Sequence, residues 1–572
     1  MKLFLRLFFI IYLSVCSTCC FILYLSPIFT SNTIYIPFSL NHFDICTKYP
    51  VQWFYIKITY IITNFISFLL IFNSIFSYLN LLFNITVNHS KKSDILPNNN
   101  YDFSVFIGKN SKNSPVFLPI ISLYQNILCI GSIGSGKTSS LLYPITSALL
   151  SLNFSNKYNS AFLILDVKGN YHKFVKKVCM KYHHLSDLFI ISLDGFITYN
   201  PLDKPNLKPH VLAHRLTDIL LLFSPEQTES FWIDKAEQVL TEAIRLCRLY
   251  NSGYVTFVEI HKIIMSHDYY QEKVNYTKEL FYSDSFSEND ISDLISCISF
   301  FDEEFFSLDD RTISIIKSEI TRITGVFVSD ADVSKIFCPD KNNISFPGFE
   351  YILAHHKIVV LDMNLSMYSS LAKIISAYLK IDFQAEILMQ LAKNDVIYPS
   401  CFICDEYHEY VTKNDATFLA QSREAKSINI VATQSYSSLL NTLKDQTSTR
   451  VLIQNFVNKF WFRTDDSFTV EEILKQTGKE EKEIISHSIS ENAKQTNYNF
   501  IFNSFSSKDS NISESVNTSS QRDFIFDSNF FSRELETFSC LAFLSNGNSI
   551  LPVEKLYLTP YFKRKDVFYY EK

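Results

Sequence analysis

The sequence has little glycine, few charged side chains and no excess of positive charge. Its 572 residues include only 11 glycines, which excludes collagen-like repeats and glycine-rich linkers. The net charge of −6 excludes a strongly basic protein, so any contact with nucleic acid must come from local patches. The 12 cysteines show no spacing typical of a disulfide framework. Charged residues make up 19% of the chain, below the ~25% of an average soluble protein, and this shortage predicts a membrane-embedded part.

Two long uncharged runs account for this shortage, residues 7–30 and residues 58–83. At ~1.5 Å per residue, each run is long enough to cross ~30 Å of hydrocarbon as a helix. Lys2 and Arg6 precede the first run, and Lys91 and Lys92 follow the second. The positive-inside rule then predicts a membrane anchor of two helices over residues 1–89, with the bulk of the chain in the cytoplasm. A cleaved signal peptide is the alternative for the first run, and the presence of a second run disfavours it.

The rest of the chain alternates between short apolar strands and helical segments. This alternation predicts an α/β fold whose parallel sheet is covered on both faces. The helical periodicity of residues 206–330 predicts an all-α insertion domain, flanked by one α/β domain made of residues 90–205 and 331–572. The predicted strands are residues 126–130, 161–165, 188–191, 357–361, 400–404, 428–432, 459–462 and 541–544.

The strongest chemical signal is a glycine-rich motif between an apolar strand and a helix that begins near Lys137. The motif fits G-x-x-x-x-G-K-[ST] in full. Its glycines let backbone N–H groups curl around phosphates, and the helix N-terminus adds partial positive charge. We therefore predict an ATP site, with Lys137 on the β- and γ-phosphates and Thr138 on Mg²⁺. The residues predicted to bind the nucleotide are Gly131, Ser132, Ile133, Gly134, Ser135, Gly136, Lys137 and Thr138.

A pair of acidic residues follows another apolar strand. Asp405 and Glu406 come directly after residues 401–404, and ligands of open α/β sheets bind at the carboxyl ends of strands. We predict that Asp405 holds Mg²⁺ through water and that Glu406 polarises the attacking water. An acidic strand end that only faces solvent is the alternative, and the glycine-rich motif upstream disfavours it.

Two further polar residues extend the predicted site. Gln434 ends an apolar strand, where it could sense the γ-phosphate or position water, and the alternative is an ordinary strand-end amide. Arg423 precedes that strand and could act as an arginine finger on a neighbouring subunit's nucleotide. The alternative for Arg423 is a solvated arginine at a helix end. The predicted catalytic residues are Lys137, Glu406, Gln434 and Arg423.

Together these motifs resemble those of type IV secretion coupling proteins, the TraG-like family of conjugation ATPases. The resemblance covers most of the chain. Asn170 departs from the family's D-x-K-G-E pattern, and residues 407–410 are an unusual continuation of the acidic pair. The matching segments are residues 131–138, 165–169, 199–202, 231–232, 405–406, 423, 434–435, 455 and 475–478.

The resemblance implies a RecA-like nucleotide-binding domain, an all-α domain, and a homo-hexameric ring with ATP between subunits. It implies Mg²⁺-dependent ATP hydrolysis by a multi-pass protein of the bacterial inner membrane. The implied partners are the membrane, the proteins of a type IV secretion channel, and a relaxase with its single-stranded DNA. Protein effectors are the alternative cargo.

Two other functions are compatible with the sequence. One is a membrane DNA translocase of the FtsK/HerA type, which typically has more membrane spans and a separate DNA-reading domain. The other is a cargo receptor that binds ATP without hydrolysing it, which the presence of both Asp405 and Glu406 disfavours. Hydrolysis measured with and without single-stranded DNA separates the three functions.

Overall fold

A computed structural model describes residues 51, 103–154, 158–223, 230–283, 287–393, 396–491, 496–499, 504–507, 512–564 and 569–571. The chain divides into two compact units, Met1–Asn100 and Tyr101–Lys572. Only Val51 of the first unit is described, so the predicted membrane spans and the anchor over residues 1–89 lie outside the described residues. The architecture that follows belongs to the second unit.

The predicted location needs a correction. Across the described ranges, no helix is both long enough and apolar enough to cross a membrane. This finding contradicts the prediction of a multi-pass inner-membrane protein, which is withdrawn. The prediction relied on uncharged length and on the flanking basic residues, and these show that a segment has the reach of a span without showing that a spanning helix forms.

Most of the strands in the second unit belong to one twelve-stranded sheet. The strands are β1 (Phe103–Asn110), β2 (Pro115–Pro119), β3 (Ile127–Ile130), β4 (Ala161–Leu165), β5 (Leu188–Ile191), β6 (Ile358–Leu361), β7 (Ser400–Cys404), β8 (Ser427–Thr433), β9 (Asn458–Trp461), β10 (Lys479–Glu491), β11 (Thr496–Asn499), β12 (Ser504–Ser507), β13 (Ile512–Phe524), β14 (Ser539–Phe543), β15 (Glu554–Tyr557) and β16 (Tyr569–Glu571). The order across the large sheet is β16-β1-β15-β14-β9-β3-β8-β7-β4-β6-β5, with β2 paired to β1. The run from β9 to β5 is parallel, and the strands beyond β9 pair antiparallel.

The helices cover both faces of this sheet. They are α1 (Ile120–Leu123), α2 (Tyr143–Phe154), α3 (Tyr171–Lys181), α4 (Pro209–Leu221), α5 (Ser230–Tyr250), α6 (Phe257–Met265), α7 (His267–Ser283), α8 (Glu288–Ser299), α9 (Asp310–Ser329), α10 (Ala331–Phe337), α11 (Phe349–Ala354), α12 (Leu365–Lys393), α13 (Asp415–Gln421), α14 (Tyr436–Leu443), α15 (Gln446–Gln454) and α16 (Ser467–Thr477). Within α12, Ser369 has a non-helical φ of 42°, so the helix breaks near its start.

The parallel strands are apolar throughout because both of their faces are buried. In β3, Leu128 and Ile130 join the core that contains residues of α4–α10 and α12. Ile127 and Cys129, which alternate with them, join the core under α2 and α3 on the opposite face. A strand that is buried on both faces does not alternate between apolar and polar residues. The sequence therefore shows such a strand as a continuous apolar run.

The α/β class with a large parallel sheet is confirmed. Each of the eight strands predicted from apolar runs overlaps an observed strand. The sequence did not predict the antiparallel edge strands, such as β15 with its exposed Glu554 and Tyr557, because a strand with one solvated face carries a weaker apolar signal. Strands β11 and β12 pair with each other antiparallel, and β10 and β13 form a second antiparallel ribbon.

A buried ionic network joins the helical segment α4–α10 to helix α12. Asp382 of α12 is fully buried, and Arg215 of α4 donates to it over 3.0 Å. Lys204, in the loop before α4, lies 2.8 Å from the other carboxylate oxygen. Because a buried carboxylate is tolerated only when it is paired, these contacts anchor the helical segment at one place on α12.

Lys459 on β9 provides a prediction about pH and stability. Its side chain is 6% exposed and its Nζ donates to the carbonyl of Phe456 over 2.6 Å. Burial lowers its pKa from 10.5 to about 8. The folded chain therefore binds this proton more weakly than the unfolded chain, so the lysine destabilises the fold below about pH 8, and this effect disappears as the pH rises to 10.5.

We expect Lys459→Met to increase the free energy of unfolding by about 1–3 kcal/mol at pH 7. Urea unfolding at several pH values should also show a smaller rise in stability between pH 8 and 10.5 than the wild type shows. Lys181→Met, at an exposed position on α3, is the control and should keep the wild-type profile. Identical pH profiles for Lys459→Met and the wild type would contradict the prediction.

Candidate functional site

The glycine-rich motif forms a tight loop between β3 and a helix. The helix begins as the π-helical turn Thr138–Leu142 and continues as α2, which confirms the predicted helix start. Gly134 and Gly136 have φ values of 77° and 100°, a conformation that other residues adopt only with strain. At Gly131 an added Cβ would lie 2.5 Å from the Cβ of Phe462. The loop therefore brings its backbone closer to neighbouring groups than a side chain would allow.

The polar side chains of the loop point inward. Lys137 is 6% exposed, and its Nζ donates to the carbonyls of Gly131 and Ser132. The Oγ of Ser135 is buried and has no hydrogen-bond partner among the described residues. By contrast, Ile133 is 77% exposed at the tip of the loop. An ammonium group and an unpartnered hydroxyl thus converge on a concave stretch of backbone.

The carboxyl ends of three parallel strands meet beside this loop. Ile130 of β3 pairs with Thr433 of β8, and Val431 of β8 pairs with Cys404 of β7. Strand β8 lies between the loop strand β3 and the acidic strand β7. The three strand ends still form one edge of the sheet, where a ligand can touch all three.

Thr138 and Asp405 join the two sides of this edge. The Oγ1 of Thr138 donates to Oδ2 of Asp405 over 2.8 Å. Burial and, less strongly, the nearby charge of Glu406 raise the pKa of Asp405 to about 6, and the hydrogen bond from Thr138 opposes both. A hydroxyl and a carboxylate at this separation are the oxygen ligands that Mg²⁺ prefers, so these two residues could hold that ion.

Glu406 has an unusual backbone and an unpartnered carboxylate. It adopts the left-handed conformation, with φ 52° and ψ 50°, directly after β7. Its Oε2 is buried and makes no hydrogen bond within the described part of the chain. The Nδ1 of His408 lies 3.7 Å from this oxygen, which is beyond hydrogen-bond distance. Strained backbones and unsatisfied buried groups are typical of functional sites.

His408 is a site residue that the sequence analysis did not identify. Its Nδ1 lies 3.1 Å from Oγ1 of Thr433, the last residue of β8, and its Nε2 lies 3.5 Å from Glu409. This imidazole therefore ties the turn that contains Glu406 to the neighbouring strand. A histidine two positions after an acidic pair was the available signal, and only the packing of β7 beside β8 shows its partner.

Of the two remaining predicted residues, one lies at the site and the other does not. Gln434 directly follows Thr433, whose carbonyl accepts a hydrogen bond from the N–H of Gly131 over 3.4 Å. Arg423 lies exposed in the turn before β8, at the amino edge of the sheet. At ~3.3 Å per residue, the seven residues of β8 separate Arg423 from the site by about 20 Å. One chain therefore does not bring Arg423 to Lys137, Glu406 and Gln434.

Asp166 organises the loop after β4. Its carboxylate accepts hydrogen bonds from the backbone N–H groups of Lys168, Asn170 and Tyr171, at 3.1, 2.8 and 3.2 Å. Carboxylates commonly satisfy the first N–H groups of a helix in this way, and here they do so at the start of α3. Asn170 takes part through its backbone, so this loop does not require the glutamate that the family pattern has at this position.

The residues of the site fit a nucleotide with Mg²⁺. The glycines leave a cradle of backbone N–H groups that an added side chain would fill at Gly131. The Oγ of Ser135 and the Oε2 of Glu406 are both buried and make no hydrogen bond within the described ranges. The Ser135 hydroxyl could donate to a phosphate oxygen in the cradle, and the Glu406 oxygen could accept a hydrogen bond from a water molecule beside that phosphate.

Comparisons with known proteins show the fold. No family model matches the chain, and no curated protein matches it. Solved structures of the conjugative coupling protein TrwB do: a trigonal form with sulphate has 12% identity and a TM-score of 0.52, covering 84% of this chain and 99% of TrwB. TrwB with ADP and Mg²⁺ has 11% identity and a TM-score of 0.51, covering 84% and 100%. TrwB with the ATP analogue ADPNP has 13% identity and a TM-score of 0.51, covering 83% and 98%. The predicted resemblance to coupling proteins is confirmed for the fold.

Proposed function

We propose that this chain is a Mg²⁺-dependent ATPase with a RecA-like domain, acting as a type IV coupling protein. The observation that carries the proposal is the 2.8 Å hydrogen bond between Thr138 and Asp405, next to the unpartnered carboxylate of Glu406. It joins the glycine-rich loop to the acidic strand end, and these two elements together are what phosphoryl transfer requires. The fold-level likeness to TrwB, which has been solved with ADP and Mg²⁺, supports the same function.

The glycine-rich loop would bind the nucleotide's phosphates. Backbone N–H groups of residues 131–138 would donate to the phosphate oxygens, and Lys137 would move from the carbonyls it now contacts to the β- and γ-phosphates. Thr138 and Asp405 would hold Mg²⁺, which when bound neutralises charge on the phosphates. Ser135, with its unpartnered Oγ, supplies one further donor.

Glu406 would accept a proton from the attacking water. The left-handed turn at this residue directs the chain away from β7 at the strand end, and no hydrogen bond from a described residue to its Oε2 atom would compete with the water. Gln434 would orient the water or sense the γ-phosphate, since it directly follows the strand that lies between β3 and β7. His408 would hold the Glu406 turn against that strand.

Arg423 fits a role between subunits. It is exposed on the sheet edge opposite the glycine-rich loop, so it can reach a nucleotide only on another copy of the chain. This position supports a ring, proposed as a hexamer, in which Arg423 stabilises transition-state charge on a neighbour's nucleotide. We propose that residues 90–205 and 331–572 form the nucleotide-binding domain of each subunit, and that residues 206–330 form an all-α insertion.

The cargo follows from the family likeness. As a coupling protein, the chain would bring a relaxase with its single-stranded DNA, or protein effectors, to a type IV secretion channel. ATP hydrolysis would drive the transfer. The described residues between Pro209 and Phe337 form helices, and the site residues lie elsewhere, on the edge of the sheet. This separation supports the insertion as the part of the chain that contacts cargo.

The proposed function predicts a separation of binding from hydrolysis at Glu406. Glu406→Gln keeps the size of the side chain and removes its ability to accept a proton. We expect phosphate release from ATP to fall by about 10²–10⁴-fold, while Mg²⁺-ATP binding measured by calorimetry stays within a few-fold of the wild type. Hydrolysis at the wild-type rate would contradict the role of Glu406.

Glu471→Gln is the matched control, because Glu471 is exposed on α16, away from the site, and should leave both measurements unchanged. The same assay separates the three candidate functions. Stimulation of the wild type by single-stranded DNA supports a coupling ATPase, and stimulation by duplex DNA alone supports an FtsK/HerA-like translocase. ATP binding without hydrolysis under either condition supports a receptor.

A further inference from the structure

A cluster of aromatic side chains lies against the glycine-rich loop, and the functions proposed above do not use it. Phe538 precedes β14, and its ring occupies the space beside Gly136, where an added Cβ would lie 2.6 Å from Cδ1 of that ring. The N–H of Phe538 donates to the carbonyl of Ser135 over 3.1 Å. The loop and this phenylalanine are therefore in direct contact through both backbone and ring.

The backbone of Phe538 is strained. Its φ of 67° lies in the left-handed region, which a bulky side chain rarely adopts. Two hydrogen bonds hold it there, one to Ser135 and one from the N–H of Leu558 to the carbonyl of Phe538, at 2.8 Å. Such conformations persist where surrounding structure enforces them, and they concentrate at ligand sites. The strain aims this ring at the loop.

A second ring extends this surface into solvent. Phe562 is 60% exposed, and its ring centroid lies 6.3 Å from that of Phe538. The short 3₁₀ turn that carries it, Tyr561–Lys563, is held against the helix after the loop by Tyr561, whose ring lies 5.1 Å from Tyr143 and 5.4 Å from Phe174. Phe562 is thus a solvent-facing aromatic ring on a fixed support, one ring away from the glycine-rich loop.

We propose that Phe562, backed by Phe538, is the platform on which the base of the bound nucleotide stacks. The inference rests on the proposed nucleotide site and adds the part that holds the base. A nucleotide whose phosphates lie in the loop extends its ribose and base outward from the loop. Phe538 lies between the loop and the exposed ring of Phe562, so a base that extends in this direction would meet Phe562. Stacking on aromatic rings stabilises bases by about 1–3 kcal/mol each and tolerates different bases, because every base has a π face.

The test compares ATP with tripolyphosphate, which has the phosphates and no base. For Phe562→Ala in the full chain, we expect Mg²⁺-ATP affinity to fall by about 5–150-fold, the change that corresponds to the loss of one stacked base. The affinity for Mg²⁺-tripolyphosphate should stay unchanged. Phe562→Tyr keeps the ring and should bind ATP as the wild type does. Phe196→Ala, at a position that is 99% exposed elsewhere on the surface, is the control and should alter neither ligand.

Two results would contradict the base-stacking proposal and leave the proposed ATPase function standing. Equal losses for ATP and tripolyphosphate would show that Phe562 only supports the loop, and unchanged ATP affinity in Phe562→Ala would show that the base does not stack there. A wild-type chain that binds neither ligand would instead overturn the proposed function, and the platform with it. Circular dichroism of each variant separates these results from a folding defect.

Discussion

Replacing Lys137 with alanine is expected to abolish ATP hydrolysis. This ammonium group is buried beside the glycine-rich loop, and its hydrogen-bond partners among the described residues are the carbonyls of Gly131 and Ser132, so a phosphate would give it the counter-charge that these carbonyls lack. Removing one hydrogen-bond donor that stabilises charge in a transition state commonly lowers the catalytic rate by about 10²–10³-fold. Here we expect a loss at least that large, because the same ammonium also binds the ground-state phosphates. Phosphate release and Mg²⁺-ATP calorimetry measure the two effects.

Two further variants test whether the loss of hydrolysis is specific to the ammonium group of Lys137. Lys137→Arg keeps the positive charge but replaces a compact ammonium with a planar guanidinium, so hydrolysis should remain far below the wild-type rate. Lys181→Ala, at an exposed position on α3, removes a lysine away from the loop and should hydrolyse ATP normally. Wild-type hydrolysis by Lys137→Ala would refute the assignment of this lysine.

Replacing Lys380 with methionine is expected to cause the largest loss of stability. Lys380 of α12 and Asp415 of α13 are both fully buried, and their Nζ and Oδ2 atoms lie 2.6 Å apart. The ammonium also donates to the carbonyl of Tyr410 over 2.6 Å, while Asp415 accepts from the hydroxyl of Tyr407 and the N–H of Thr412. Removing the lysine leaves a buried carboxylate without its cation, which should lower the free energy of unfolding by about 3–5 kcal/mol in urea titrations.

The same ion pair holds the segment that follows Glu406. All of its contacts lie in residues 407–415, so its loss should also lower ATP hydrolysis more than ATP binding. The double variant Lys380→Met, Asp415→Leu removes both charges and should recover most of the lost stability. Lys373→Met is the matched control on the same helix, because Lys373 makes a partly exposed contact of 3.6 Å with Glu409 and lies 5.8 Å from the ring centre of Phe223, so its loss should cost less than about 1 kcal/mol. A Lys380→Met chain as stable as Lys373→Met would contradict the prediction.

Local patterns were sufficient for the centre of the fold. The parallel strands could be predicted because burial on both faces leaves them uniformly apolar, as in residues 161–165. The glycine-rich loop could be predicted because its backbone conformation demands glycine at positions 134 and 136. The acidic pair could be placed at a strand end because the apolar run stops there. In each case the information lies within a few consecutive residues.

Contacts between distant segments could not be predicted in this way. Nothing near Asp405 indicates that β8 separates its strand from β3, and nothing near His408 indicates Thr433 as its partner. The distance of Arg423 from the site also depends on strand direction, which is a property of the assembled sheet. The prediction of a multi-pass membrane protein was wrong for a related reason, since length and lack of charge are necessary for a span and are not enough to establish one.

The sequence alone determined a glycine-rich loop between a strand and a helix, an acidic strand end and an α/β framework, because each depends on conformational or solvation preferences of neighbouring residues. Only the tertiary structure decided which distant side chains lie near the loop. Phe538 contacts the loop and Phe562 lies beside Phe538 because the segments around the antiparallel strands β14 and β15 fold back there, and Lys380 meets Asp415 where α12 packs on the segment after Glu406. Such contacts arise from the packing of segments that are remote in sequence, so no short stretch of sequence predicts them.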